Sequence, residues 1–126
     1  MAVGAAALLA GALALFVLWG GPSSGSADCG TLLSSDGVVF SERGTTERHA
    51  EPFGTALRSV CEDVGRNARG AVFTDDSRTL TTYRFAGYPA SEVLGVRYRD
   101  DGPFIVFIAD SVTAHDRDQI ARELRR

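Results

Sequence analysis

The sequence predicts an α+β fold: a small, mainly antiparallel β domain, either a curled sheet or a small barrel, with one or two helices. An N-terminal transmembrane or signal helix precedes it. Three observations carry this expectation. Residues 2–19 (AVGAAALLAGALALFVLW) are apolar and contain no charge. Beyond them, short runs alternate apolar and polar residues between Asp-Gly and Gly/Pro turns, the period-two signature of half-buried strands. Two other segments place apolar residues three and four apart, the helical period.

As a helix, residues 2–19 span roughly 27 Å, close to the roughly 30 Å of a bilayer's hydrocarbon core. The run has no basic residue before it and ends at Trp19, a residue favoured at membrane interfaces. Those features suit an uncleaved anchor. The small residues Ser24 and Ser26, or Gly25 and Ala27, equally suit a cleavage site after a signal peptide. Both readings place the rest of the chain outside the cytoplasm, on the cell membrane or secreted. Residues 1–20 are thus expected to be the anchor or signal, 21–28 (GPSSGSAD) a flexible linker, and 29–126 one domain. At about 100 residues, that domain can build a single core.

The strands follow in order. In CGTLLSSDGVVFSE, Asp36-Gly37 divides two apolar runs, predicting a hairpin of strands over 29–34 and 38–43. Residues 44–52 are polar and predict a loop. Phe53, Ala56, Leu57, Val60, Cys61 and Val64 then recur at helical spacing, with Pro52 at a position suited to a first turn. AVFTDDSRTLTTYRF predicts a second hairpin turning at Asp75, Asp76 and Ser77, followed by a break at Gly87 and Pro89. In VLGVRYRDDGPFIVFIAD, Leu94, Val96 and Tyr98 face one way, and Asp101-Gly102 turns the chain. The unbroken apolar run from Phe104 to Ile108 predicts a strand covered on both faces. The tail predicts a helix capped by Thr113, with Asp116 three residues on and an apolar stripe of Ile120, Ala121 and Leu124.

Composition excludes several chemistries. All 13 basic residues are arginine, so a Schiff-base lysine, a phosphate-loop lysine and a Ser–Lys pair are ruled out. The net charge of −3 falls entirely after residue 27, which predicts no nucleic-acid partner. GPSSG (21–25) matches the Gly-x-Ser-x-Gly nucleophile pattern. That pattern works only on a strained strand-to-helix turn, and here it lies in the linker.

The two cysteines are Cys29 and Cys61. Cys29 follows Asp28 and lies well past Trp19, which argues against lipid attachment. Two cysteines in an exported domain are expected to pair, so a Cys29–Cys61 disulfide is predicted. No catalytic residue, metal site or cofactor is implied. His49, between Glu47 and Glu51, is one functional candidate, although a metal needs three or four converging ligands. His115, beside Asp116, is another, and Asp63, in the acidic pair Glu62-Asp63, is a third. The pairs Asp75-Asp76 and Asp100-Asp101 read as turn residues.

The segments C…L…DG..F, FG.AL…CED and YRFAGYP..EVLGVRY…GPFIVFIAD resemble a group of small exported actinobacterial proteins of unknown function. Cys29, Gly37, Phe40, Gly54, Cys61, Asp63, Gly87 and Pro89 carry the likeness, which spans most of residues 29–109. Phe40 stands where tyrosine is commoner, and Pro89 falls one residue early after Gly87. The resemblance implies an exported, disulfide-bonded, β-rich domain and no known activity. The leading functional expectation is a non-enzymatic extracytoplasmic module, tethered or secreted, that binds a protein, peptide or envelope component. The alternatives are a small envelope hydrolase using a carboxylate or His115, and a single-pass subunit of a membrane complex. In the last, Gly4, Ala7 and Gly11 would let a partner helix approach closely.

Overall fold

The structure, a computed structural model, describes residues 29–62, 65 and 68–125. The expected N-terminal helix and linker lie outside the described residues. The strands are β1 (Leu32–Ser35), β2 (Val38–Thr46), β3 (Ala50–Arg58), β4 (Val60–Glu62), β5 (Gly70–Val72), β6 (Arg78–Phe85), β7 (Val93–Val96) and β8 (Phe104–Ala109). A single helix among the described residues, α1 (Ala114–Leu124), follows. Six strands close into an antiparallel barrel in the order β1-β2-β8-β7-β6-β3, and β4 and β5 pair apart from it. Closure leaves the barrel without a free edge.

The β1–β2 hairpin forms where Asp36-Gly37 predicts it. Ser35 pairs with Val38, leaving a two-residue loop in which both residues have positive φ, 50° at Asp36 and 78° at Gly37. That conformation matches the right-handed twist of the strands it joins, and glycine adopts it without a side-chain clash. β2 then runs on to Thr46 through a register shift between Glu42 and Thr45, which carries it along the whole of β8. The polar residues 44–46 are therefore strand and not loop, because β8 supplies their hydrogen bonds.

The helix expected from Phe53 onward is not formed; this stretch is β3 and β4. β3 pairs with β6 from Ala50↔Phe85 to Arg58↔Arg78. A register shift between Pro52 and Gly54 resets the inward–outward alternation, so the apolar positions mimic a 3.6-residue period. The apparent stripe does not share a face. Ala56 is buried, whereas Phe53 and Leu57 are exposed. Gly54 and the β-branched Thr55 and Val60 also weaken a helix that lacks a packing partner.

The second expected hairpin is also replaced. The turn exists, with Ser77 N donating to Thr74 O (3.0 Å) and Thr74 N to Ser77 Oγ (3.0 Å). Its flanking strands diverge: β5 pairs with β4, and β6 joins the barrel between β3 and β7.

Both faces of β8 are covered, as its apolar run predicts. Phe107 and Ala109 join Leu33, Phe40, Ala56, Leu94 and Val96 in a cluster drawn from strands all around the barrel, with Leu80 of β6 against it; this is the barrel interior. Phe104, Val106 and Ile108 face outward, where Ala50, Phe85, Val93 and the Ala121 and Leu124 side chains of α1 bury them. Thr113 caps α1, its Oγ1 accepting from Asp116 N at 3.3 Å. The C-terminal end is held by the buried Thr46, whose hydroxyl donates to Leu124 O.

Gly95 of β7 lies on the outer face, opposite Tyr83. A Cβ there would sit 2.8 Å from Phe85 Cζ and 3.4 Å from Phe104 Cδ1. The two rings, edge-to-face at 5.8 Å, occupy the space a side chain would need. Gly95→Ala is expected to cost about 1–3 kcal/mol through overpacking, read as a fall in the denaturation midpoint. An unchanged midpoint would show that the ring of Phe85 turns aside freely.

Candidate functional site

The best-organised concavity lies at the barrel end where β1 begins. Three local features build it. Cys29 and Cys61 form a disulfide, with Cα atoms 5.7 Å apart, which ties the start of the described chain to β4. Ser59, between β3 and β4, clasps β1 from both sides: its N donates to Leu32 O (2.9 Å), and its Oγ accepts from Leu32 N (2.9 Å). The Thr74–Ser77 turn then delivers β6 alongside. The resulting cleft, about 520 Å³, is lined by the disulfide, Thr31, Ser59, Arg58, Arg78 and Asp76 among others.

Arg58 and Arg78 are directly opposed residues of β3 and β6. Arg58 also pairs with Leu33, a fully buried interior residue, and Arg78 shares the alternation of Leu80 and Thr82. Both arginines therefore lie on the inward row of their strands and emerge at the barrel mouth. The Arg58 guanidinium stands 5.5 Å from the centroid of the Tyr98 ring, and its Nε is buried with no hydrogen-bond partner among the described residues. Sequence reading missed this pair. With residues 53–64 expected to be helical, Arg58 had no reason to meet Arg78; only the β3–β6 register brings them together.

A larger groove, about 650 Å³, runs between β2 and α1. Arg43 and Asp118 form an ion pair across it, and Arg117 lies near Asp110 at 3.9 Å. Those charges are matched and bind α1 to the sheet. Arg97 resembles Arg58 in making ring contacts, its guanidinium 4.7 Å from the Phe104 ring centroid and 5.2 Å from that of Tyr83, with its Nε likewise buried and without a hydrogen-bond partner among the described residues, but it lies outside the cleft.

The three candidates from the sequence do not converge. His49 sits in the β2–β3 loop, its Nε2 2.5 Å from Glu51 Oε1, with both side chains at least three-quarters exposed (80% and 75%). His115 is on the exposed first turn of α1. Asp63 lies outside the described residues. Among the described residues, no three His, Cys, Asp or Glu side chains gather as a metal ion requires. Tyr88 has its phenol pKa raised, first by burial and then by its hydrogen bond to Glu123 (2.6 Å) and that carboxylate's charge; Arg48 works against these. This contact pins the β6–β7 turn to α1, away from the cleft.

No curated protein and no solved structure matches the chain. A family model does match, described as a family of unknown function (DUF6281), over residues 21–126. The match takes in every described strand, the disulfide and α1, so the barrel and its cleft are features of the matched region, and the chain belongs to this family of unknown function.

Proposed function

We propose that this protein is a non-enzymatic interaction module displayed outside the cytoplasm, of the exported, actinobacterial kind that its sequence resembles. In this reading residues 1–20 are the anchor or signal, 21–28 the linker, and 29–126 the binding domain. The observation that carries it is the Cys29–Cys61 disulfide forming one wall of the cleft at the barrel mouth. A disulfide with this structural place suits an oxidising compartment, where such bonds persist. The placement of the titratable side chains supports binding over turnover. A catalytic cleft needs a nucleophile or acid–base pair within hydrogen-bond reach of one point. Here His49 and His115 are exposed on separate elements, and neither lines the cleft.

The test is topological. In intact cells making the full chain with a C-terminal tag, protease added outside is expected to remove the tag signal. Alkylation without reductant is expected to label no thiol. A tag protected until lysis, together with two alkylated cysteines, would overturn the reading.

A further inference from the structure

The paired arginines at the barrel mouth ask for a counter-charge. Like charges directly opposed on neighbouring strands destabilise a sheet, and here Arg58 is half-buried while Arg78 is exposed at the rim. Arg43, Arg69 and Arg117 each have an acidic neighbour. Neither Arg58 nor Arg78 has an ion pair among the described residues. Arg58 is nonetheless held in place, its guanidinium against Tyr98. Ser59 and Thr31, each bearing a hydroxyl group, line the same cleft. Ser59 Oγ accepts from Leu32 N, which leaves its own proton available for donation.

We propose that this cleft binds a phosphate oxyanion, with Arg58 and Arg78 as the two guanidinium forks and Ser59 and Thr31 as hydroxyl donors. The donor set fits phosphate better than carboxylate. A carboxylate has two oxygens and is satisfied by a single fork, whereas two forks and two hydroxyls match a tetrahedral group with several unbridged oxygens. Asp76 on the same wall opposes the anion, which makes its removal a signed test. The proposal deepens the interaction-module reading, in that the ligand is held and not converted. The phosphate group has two possible sources, free phosphate or the headgroup of an anionic lipid.

The experiment uses the full chain in phosphatidylcholine nanodiscs, with the arginine Nε–Hε signals followed by ¹⁵N NMR. Inorganic phosphate is expected to shift the Arg58 and Arg78 signals saturably, and acetate to shift them far less. Arg58→Gln and Arg78→Gln are each expected to weaken the apparent Kd by about tenfold or more, since each removes charge-assisted hydrogen bonds. Asp76→Asn is expected to tighten it by about two- to fivefold by removing a repulsive charge. Arg84→Gln, the same charge change at the far end of β6, is expected to leave it unchanged. Thermal unfolding of each variant separates lost binding from lost folding. In nanodiscs containing phosphatidylglycerol with no phosphate added, displacement of the Arg58 and Arg78 signals in the direction that phosphate displaces them identifies the lipid headgroup as the source, and unmoved signals identify free phosphate. The proposal is overturned if the shifts rise linearly without saturation. It is equally overturned if acetate matches phosphate, if Arg84→Gln weakens binding as much as Arg58→Gln, or if Asp76→Asn does not tighten it. Such failures leave the topological test untouched, so the two readings fall separately.

Discussion

Phe107→Ala is expected to lower the unfolding free energy by about 3–5 kcal/mol, the cost of deleting a fully buried ring and leaving a cavity. Phe107 is fully buried at the centre of the interior cluster. It sits on β8 between two strands, opposite Leu94 of β7 and Glu42 of β2. Its neighbours are held by barrel closure, which limits how far they can collapse into the space. A single domain of this size is stable by only about 5–10 kcal/mol, so the variant is expected to lose half or more of its margin. Urea denaturation of the full chain in neutral detergent, followed by far-ultraviolet circular dichroism, measures it. A change below about 1 kcal/mol would contradict the barrel interior assigned to Phe107.

Removing the disulfide is expected to cost about as much by a different route. Cys29 and Cys61 are separated by 32 positions. Closing a loop of that length removes about 3.7 kcal/mol of conformational freedom from the unfolded chain, on the loop-entropy model. Cys29→Ser, Cys61→Ser and the double variant are expected to fall by the same amount, because each removes the same bond. The three denaturation midpoints test this directly. A double variant that loses the sum of the two singles would assign the cost to packing of each side chain and not to the cross-link. The same variants should loosen the wall of the cleft, since the disulfide, the Ser59–Leu32 bonds and the Leu33↔Arg58 pairing together tie the start of β1 to the β3–β4 junction.

These two positions also show how unevenly the fold was legible. Phe104–Ile108 announced itself: only a strand covered on both faces stays apolar at every position, and β8 is covered by the interior on one side and α1 on the other. Asp36-Gly37 and Thr113 were equally readable, because a two-residue turn and a helix cap are local chemistry. The stretch from Pro52 to Val60 was not. Its register shift scrambles the alternation that identifies a strand, and its stabilising partner, β6, is distant in sequence. The Asp75–Ser77 turn was visible, but nothing local told β5 and β6 to part.

The candidate site followed the same division. The Cys29–Cys61 pairing could be anticipated because two cysteines leave one partner choice. His49 and His115 were attractive as residue types, yet their surroundings are solvent. Arg58 and Arg78 are two of 13 arginines, and nothing in their local sequence sets them apart from the others.

Residue order alone determined the β-rich class, the hairpin turn at Asp36-Gly37, the doubly covered β8 and the capped C-terminal helix, since each depends on side chains within a few residues of one another. The tertiary structure alone decided that the barrel closes, that residues 50–58 are a strand, and that two arginines share its mouth. Those outcomes rest on long-range strand pairing. Its register is set by which faces can be buried together, a property of the assembled sheet that no short segment carries.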